Sequence, residues 1–452
     1  MNIIVVGCGK IGTTILKNLV EEGHDVTAVD NRPVALNEIT NIHDVITVCG
    51  NGGDCETLEE AGVAQADLVV ATTGSDEVNM LCCYMAGRMG AANTVARIRK
   101  PEYNDRSLAT MKGYLGLNIA LNPDKLAAQE MYHMLRLPAA AKIETFSGRK
   151  FEMVEIKIRE DSPLVGVALS ALRTKFKAKF LVCVVKRGEQ VFIPDGNFVL
   201  QAEDKVGLTA AHGEIQKLLK AVGLAKKQAR KVMILGGSRS AYYLAKRLLS
   251  AGVEVKVIDK DPVTCENLSE LLPGATIICG DGAQQELLLE EGLADMDAFV
   301  ALTGLDEQNI LLSFFAASRN VPKVLAKTNR EELGELALQL GMECVISPRN
   351  LVAVVLVQHA RALKNSMGSN IETLYRLMND KAEALEFNVK DDPRLVRIPL
   401  KDLQLRSQVL VAGIIRGRDI LIPAGDDMIL PGDRVVVITA GLHLQDLVDI
   451  LK

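Results

Sequence analysis

The sequence predicts an α/β protein of four domains: two parallel-sheet domains, each followed by a smaller α+β domain. Three observations lead there. The chain of 452 residues repeats itself at an offset of 229 to 230 positions. Within each repeat, short aliphatic runs alternate with amphipathic helical stretches, then give way to strand-like runs separated by Gly, Pro and Asp turns. The first strand runs directly into Gly7-Cys8-Gly9-Lys10-Ile11-Gly12, a G-x-G-x-x-G turn that opens a helix.

The repeat sets the domain order, because each copy of a duplicated unit folds alike. Gly7 aligns with Gly236 and Asp30 with Asp259, while "CGNG" from Cys49 aligns with "CGDG" from Cys279. In the same register "TGSDEVN" (Thr73–Asn79) meets "TGLDEQN" (Thr303–Asn309), and "ARIRK" from Ala96 meets "AKTNR" from Ala326. The match resumes with "FIPDG" from Phe192 against "LIPAG" from Leu421, and Asp204-Lys205-Val206 against Asp433-Arg434-Val435. The expected domains are 1–140, 141–225, 230–369 and 370–452, and the charged "GLAKKQARK" (Gly223–Lys231) joins the halves.

In the first parallel-sheet part the expected strands are Ile3–Val6, Val26–Asp30, Val45–Cys49, Leu68–Ala71 and Val95–Ile98. Helices are expected between them, for example over Ile11–Glu22 and Cys55–Ala61. Continuous aliphatic runs of this length fit strands buried on both faces of a parallel sheet. Helices follow over Pro123–Leu135 and, in the second half, Pro348–Leu363, each opened by a proline that suits a helix start. Their apolar faces are broad for surface helices, so burial against a partner domain or subunit is expected. The smaller parts read as strands Glu152–Ile158, Phe180–Val185, Gln190–Ile193 and Lys205–Leu208 with a short helix Ala168–Arg173, a layout repeated over 384–440.

Composition narrows the function classes. A net charge of −5 argues against a general nucleic-acid binder, which presents a basic face. The cluster Lys226, Lys227, Arg230 and Lys231 is short and reads as a solvated linker. The nine cysteines include no C-x-x-C pair, and Cys49, Cys55, Cys82 and Cys83 lack zinc-ligand spacing, so reduced core thiols and no metal site are expected. Acidic turns such as Glu160-Asp161 and Asp391-Asp392 read as solvated rather than as cation ligands. No apolar run approaches the ~18 residues that cross a bilayer. The opening "MNIIVVGCG" already reads as strand and turn rather than a leader, so a soluble cytoplasmic chain is expected.

The glycine turn carries the chemistry. A helix N-terminus offers free N–H groups and a dipole to anionic oxygens. Gly7 permits the tight turn, Gly9 removes a Cβ where backbone meets phosphate, and Gly12 lets helix approach strand. Asp30 ends the next strand, where a carboxylate accepts from ribose hydroxyls. That favours NAD(H) over a cofactor with a 2′-phosphate, an exclusion that Arg32 nearby could soften. The first-half candidates are Gly7, Cys8, Gly9, Lys10, Ile11 and Gly12, with Asp30, Asn31 and Arg32. Asn51 and Gly52 join them, as do Thr72, Thr73, Gly74 and Asn79 after the fourth strand and Arg97 at the fifth. For that loop two readings stand: the threonines and Asn79 present polar groups to a ligand, or Asp76 and Asn79 cap a helix. Arg97 either reaches a phosphate or pairs with a local acid.

The second copy departs at the phosphate step. Gly236 keeps the turn, but Ser238 and Ala241 replace the other two glycines. Ser238 sets a Cβ and a hydroxyl where a phosphate approaches, to obstruct it or to donate to it. The second-half candidates are Gly236, Ser238, Arg239, Asp259 and Lys260, then Asp281, Gly282, Thr303 and Lys327. ATP, ADP or AMP are possible ligands in either half.

No catalytic set is expected. The six histidines, at 24, 43, 133, 212, 359 and 443, are scattered, and none occupies a repeated position. A dehydrogenase needs a proton donor or acceptor beside its cofactor. An NAD-dependent oxidoreductase with an unrecognised acid–base group is therefore the alternative, and a purely structural scaffold a third reading.

"VVGCGKIGTTILKNL", "DNRP", "CGNGGDCETLEEAGVAQADLVVATTGSDEVNML" and "ARIRKPEY" closely resemble the N-lobe of RCK (KTN) domains, and the doubled N-C-N-C order covers essentially the whole chain. The resemblance implies Rossmann-like N-lobes, each followed by a small α+β RCK C-lobe. It implies a nucleotide-sensing regulatory subunit, bound to the inner face of the membrane through an integral potassium transporter of the TrkH/TrkG type. It further implies a homotetramer whose eight RCK units form a ring. NAD(H), ATP or ADP would be its ligands, with Gly7, Gly9, Gly12 and Asp30 at the pyrophosphate and ribose positions. Thr72 and Thr73 match the loop lining that site, and Arg97 falls near its basic position.

Overall fold

The structure, a computed structural model, describes the 452 residues apart from 43, 104, 137–141, 147–150, 177–179, 212–213, 222–227, 367–370, 379–380, 418, 443 and 445. Most of the linker expected over Gly223–Lys231, and histidines 43, 212 and 443, lie outside the described residues.

The first repeat opens with strands β1 (Asn2–Val6), β2 (Asp25–Asp30), β3 (Ile46–Cys49), β4 (Leu68–Ala71), β5 (Thr94–Arg97) and β6 (Ile119–Leu121). They form one sheet in the order β3-β2-β1-β4-β5-β6, with every pair parallel. Parallel neighbours need crossovers, supplied by α1 (Lys10–Glu21), α2 (Pro33–Thr40), α3 (Cys55–Glu60), α4 (Asp76–Met89) and α5 (Asp105–Leu115). The order reverses between β1 and β4, so a crevice opens at their carboxyl ends, where doubly wound sheets bind ligands. Ile15, Leu16 and Leu19 recur on one face of α1 and are fully buried, which fixes the helix against the sheet. A last helix, α6 (Pro123–Arg136), follows β6.

A five-stranded sheet comes next: β7 (Lys142–Phe146), β8 (Phe151–Lys157), β9 (Phe180–Arg187), β10 (Gln190–Phe192) and β11 (Lys205–Ala211), with α7 (Leu169–Phe176) and α8 (Glu214–Ala221). All its pairs are antiparallel.

The second repeat restates both sheets. Its parallel sheet has β12 (Lys231–Leu235), β13 (Glu254–Asp259), β14 (Thr276–Cys279), β15 (Ala298–Ala301), β16 (Lys323–Lys327) and β17 (Val345–Ile346), ordered β14-β13-β12-β15-β16-β17. Its helices are α9 (Arg239–Ser250), α10 (Pro262–Leu271), α11 (Gln285–Glu290), α12 (Asp306–Ser318), α13 (Glu331–Gln339) and α14 (Pro348–Ser366). The antiparallel sheet of β18 (Ile371–Leu377), β19 (Ala382–Asn388), β20 (Val409–Arg416), β21 (Asp419–Leu421) and β22 (Arg434–Ala440) completes it.

The chain divides into two compact units. Residues 1–132 with 230–360 hold both parallel sheets, and residues 133–229 with 361–452 hold both antiparallel ones. Within the second unit the small sheets share a core of Phe151, Met153, Val184, Leu377, Val436 and Ile438. Each also carries the same ion pair on a buried aspartate. Arg187 grips Asp204 through two hydrogen bonds of 2.8 Å, and Arg416 grips Asp433 through bonds of 2.9 and 2.8 Å. Acids and arginines alike keep the repeat offset of 229, but the sequence does not say that they pair.

The elements match the sequence reading with boundary shifts of a few residues, and the differences are physical. β6 and β17 have only three and two residues, too short to show a periodicity, so both edge strands escaped it. The broad apolar faces of α6 and α14 do find partners. Ala127, Ala128 and Met131 of α6 and Val352, Ala353 and Leu356 of α14 are buried. Tyr132 on α6 stacks under the Arg247 guanidinium of α9, 4.9 Å from its ring centre. Among the described residues no helix is long and apolar enough to cross a membrane. None of their His, Cys, Asp and Glu side chains group to hold a metal ion. Asp391 and Asp392 instead pair with Arg397 and Arg394.

Candidate nucleotide site

The turn out of β1 is built as its glycines require. Gly7 has φ +93°, in the left-handed region that favours glycine, and a Cβ there would stand 2.6 Å from the Thr73 nitrogen. A Cβ on Gly12 would stand 2.0 Å from the Gly7 carbonyl oxygen, so helix and strand touch at this point. Gly9 differs: nothing lies within 4 Å of the position its Cβ would take. The space it leaves is the crevice. Gly9 is also the N-cap of α1, and no side chain caps that helix. The first-turn N–H groups therefore face the opening with the helix dipole behind them.

Asp30, at the end of β2, accepts from the Cys8 N–H at 2.7 Å and from the Arg32 N–H at 2.9 Å. The Arg32 guanidinium adds a bond of 3.0 Å. Burial alone would raise this carboxyl, but the donors from Arg32 and Cys8 outweigh it and hold Asp30 below its ordinary value. It is ionised at neutral pH, with lone pairs left for hydroxyl donors.

The loop after β4 is held from beneath. Asn79 is fully buried; its carbonyl oxygen accepts from the Thr73 N–H (2.8 Å) and Oγ1 (2.7 Å), and its amide donates to the Arg97 carbonyl (2.8 Å). Asp76 accepts from the N–H groups of Arg99 and Lys100, both at 2.8 Å. These two side chains shape the site without lining it, whereas Thr72, Thr73 and Gly74 line it.

The result is a cleft of about 890 Å³ within the first unit. Gly7, Gly9, Lys10 and Ile11 form one wall. Asp30, Asn31 and Arg32 form another, beside Asn51 and Gly52. Arg97 closes the floor. Cys8 and Gly12 lie behind this lining: the Cys8 thiol points at the Val29 carbonyl, and burial pushes it up to about 12. The far wall comes from the other repeat, with Lys327, Asn329, Pro348 and Arg349, joined by Arg99, Pro123 and Asp124 of the first. Of these only Lys327 was expected. The signal was available in the strand-then-proline arrangement that both halves share: Pro123-Asp124 and Pro348-Arg349 each follow the sixth strand of their sheet.

Six basic side chains and two acidic ones line this cleft. Arg97 is 8% exposed, and its Nε, like that of Arg99, is buried without a hydrogen-bond partner. Burial and the neighbouring Arg99 bring the Arg97 guanidinium down to about 10, against the pull of Asp76 and Asp124. Burial likewise lowers Lys327 and Arg349. Dehydrated cations without full partners favour an anion.

The second cradle is assembled differently. Gly236 (φ +95°) repeats the turn, and Ala241 sits fully buried where Gly12 lies in the first. Ser238 caps α9, its Oγ accepting from the Ala241 N–H at 3.4 Å. Asp259 accepts from the Gly237 N–H at 2.5 Å and the Asp261 N–H at 2.8 Å, so Asp261 stands where the first repeat has Arg32. The close approach has moved to Gly237, where a Cβ would stand 2.5 Å from Thr264 Cγ2 of α10. Thr303 is held by Asn309 as Thr73 is by Asn79. Lys260 and Asp281 are exposed and Gly282 is buried. Arg239 opens α9 close enough to oppose the charge of Arg97.

Comparison with known proteins agrees with this fold. The TrkA-N domain family matches residues 3–123 and 232–348, and the TrkA-C domain family matches 153–223 and 384–452. The Trk system potassium uptake protein TrkA of Vibrio alginolyticus is 32% identical over 440 residues, covering 97% of this chain and 95% of its own. A homologue of that protein from Archaeoglobus fulgidus is 30% identical over 452 residues and covers 100% of each. Among solved structures, the GsuK channel bound to NAD has a TM-score of 0.62 at 17% identity, covering 97% of this chain and 77% of that one. The GsuK RCK domain gives 0.62 at 18%, covering 97% and 92%. At such identities the likeness is one of fold: two Rossmann-like lobes and two small antiparallel lobes. Paired TrkA-N and TrkA-C matches in alternation, with full-length relatives at 30% identity and above, place the chain in the TrkA family.

Proposed function

We propose that the chain is a nucleotide-sensing regulatory subunit of a Trk-type potassium uptake system, and that it makes and breaks no bond. The observation that supports this reading best is the uncapped start of α1, facing a cleft walled by dehydrated arginine and lysine side chains. Its curated relatives are named for potassium uptake. The residues present fit a pyrophosphate-bearing nucleotide: the Gly9–Ile11 backbone would hold the phosphates and Asp30 the ribose hydroxyls. NAD(H) fits this first site, and ATP or ADP share its phosphate chemistry.

In this reading the chain acts as a homotetramer under a transporter of the TrkH/TrkG type, at the inner face of the membrane. Ligands of different phosphate charge engage the glycine turn differently and so favour different arrangements of the ring. A coupling of about 1–3 kcal/mol per site suffices when several sites act together. The test is potassium flux through the cognate transporter with the intact chain, with and without ATP, ADP, NAD or NADH, alongside calorimetric binding. Asp30→Ala and Gly9→Val are expected to weaken binding and abolish nucleotide control of flux. Flux that stays under nucleotide control after binding is lost would sink the reading.

A further inference from the structure

The last helix of each parallel-sheet lobe reaches the cradle of the other lobe. From the first repeat, Asp124 at the start of α6 accepts a hydrogen bond of 2.7 Å from Ser240 Oγ, in the first turn of α9. Beside it Asn122 Nδ2 donates to the Tyr243 hydroxyl at 3.2 Å. From the second repeat, Arg349 at the start of α14 lines the cleft with Gly9, Lys10 and Ile11. Asp124 and Arg349 each follow the proline after a sixth strand, and Ser240 and Ile11 each lie four residues past the turn glycine. The two side chains are structural equivalents with opposite charge.

That difference matches the rest of each cradle. A helix start favours a negative charge. At α9 the chain already supplies one, the Asp124 carboxylate, over a helix that Ser238 also caps. An incoming phosphate there meets a fixed like charge. At α1 there is no cap, and the equivalent position holds a cation; Asp124 lines this cleft too, but six basic side chains, including Lys327 and the Arg97 and Arg99 with unpartnered Nε groups, outnumber it and Asp30 there.

Building on the nucleotide reading above, we propose that the repeats complete each other's cradles. Arg349 of the second repeat is a phosphate-binding residue of the first site, and Asp124 of the first repeat takes the place of phosphate in the second. The intact chain then binds one nucleotide, held by both halves. The ligand class is a pyrophosphate-bearing nucleotide, and the site's specificity for phosphate depends on a residue more than three hundred positions from the glycine turn.

Calorimetric titration of the full chain with ATP, NADH and inorganic tripolyphosphate tests this. Wild type is expected to saturate at one nucleotide per chain. Arg349→Gln is expected to weaken the tighter nucleotide about tenfold, the scale of one charge-assisted contact, with Arg349→Lys recovering most of it. Asp124→Asn combined with Ser238→Gly is expected to add a second, weaker equivalent. Saturation at two per chain in wild type overturns the proposal without any variant. So does an Arg349→Gln protein that binds as tightly as wild type, or an Asp124→Asn, Ser238→Gly protein that binds at the first site and shows no second one. Either of those results leaves the nucleotide reading standing, whereas a wild type that binds neither ATP nor NADH overturns both. Tripolyphosphate separates the phosphate contacts from those of base and ribose: its affinity is expected to fall with Arg349→Gln, and an unchanged affinity would count against Arg349.

Discussion

The two glycine turns of this chain share a backbone path and differ in what stands over it. In the first, α1 begins uncapped against open space at Gly9. In the second, Ser238 caps α9 and the Asp124 carboxylate covers its first turn. The loss of a motif glycine therefore belongs to a set of changes that hand the same electrostatic demand to the protein itself. A duplicated fold keeps its frame, because strand register and helix packing depend on many residues. A ligand site diverges at a few.

The widest difference is expected where the frame is tightest. Gly12→Ala puts a Cβ 2.0 Å from the Gly7 carbonyl oxygen, a backbone atom that cannot step aside. Urea unfolding of the intact chain is expected to show a loss above about 3 kcal/mol, as for other severe steric insertions. The reverse change, Ala241→Gly, is expected to cost about 2 kcal/mol, the helix-propensity difference plus one buried methyl. Similar costs for the two would mean that the helices approach their strands alike.

The ion pairs of the small sheets provide a region where the repeats are expected to agree. Asp204 and Asp433 each receive two bonds from an arginine and one backbone N–H at 2.8 Å. Alanine at either position leaves the arginine without its partner and is expected to cost about 2–3 kcal/mol. A clear inequality between the two would show that divergence extends beyond the nucleotide lobes.

Asn79 and Asn309 separate frame from site within one residue pair. Each anchors a threonine loop and the carbonyl at the end of the fifth strand. Replacement by alanine is expected to cost about 1–2 kcal/mol in both. Asn79→Ala is expected to weaken nucleotide binding more than Asn309→Ala, since Thr73 lines the cleft and Thr303 does not, while Asn309 reaches the cleft only through the Lys327 carbonyl. Equal binding losses in both variants would argue that the second cradle is also in use.

Much of this was legible in the sequence, for reasons tied to particular residues. Strands such as Ile3–Val6 announce themselves through unbroken aliphatic runs. Gly12 is where it is because of a contact made within one βαβ unit, with the Gly7 carbonyl, and Gly7 because its turn needs a left-handed backbone. Asn79 and Asp76 were legible as a pattern but not as a role, because "TGSDEVN" does not say which side chain turns inward. Asp124 and Arg349 were out of reach for another reason. Each acts on a lobe more than one hundred residues away, and a proline followed by a charged residue has no local signature. The shared arrangement of a strand followed by a proline could have paired them and exposed the change of sign, although their offset of 225 departs from the 229 to 230 of the rest of the repeat.

The smallest expected effect is a shift in where the two repeats are sensitive to acid. In the first, the carboxyl held below its ordinary value at the end of the second strand is Asp30, where bonds from Arg32 and Cys8 outweigh burial. In the second repeat the lowered carboxyl stands two residues past the strand end, at Asp261, held down by the Thr264 hydroxyl and by the backbone at the start of α10. A carboxyl lowered by folding contributes stability above its unfolded value of about 4, and that contribution is lost as pH falls through the lower folded value. Below both values neither group contributes. Asp30→Asn and Asp261→Asn are therefore each expected to lower stability at neutral pH and to flatten the loss below about pH 4. The distinction lies in the ligand. NADH is expected to stabilise wild type and the Asp261→Asn protein to the same degree at pH 7, and the Asp30→Asn protein less, because only Asp30 faces the cleft. Thermal melts with and without NADH would check this. An Asp261→Asn protein that loses ligand stabilisation as Asp30→Asn does would place a ligand beside the second cradle after all.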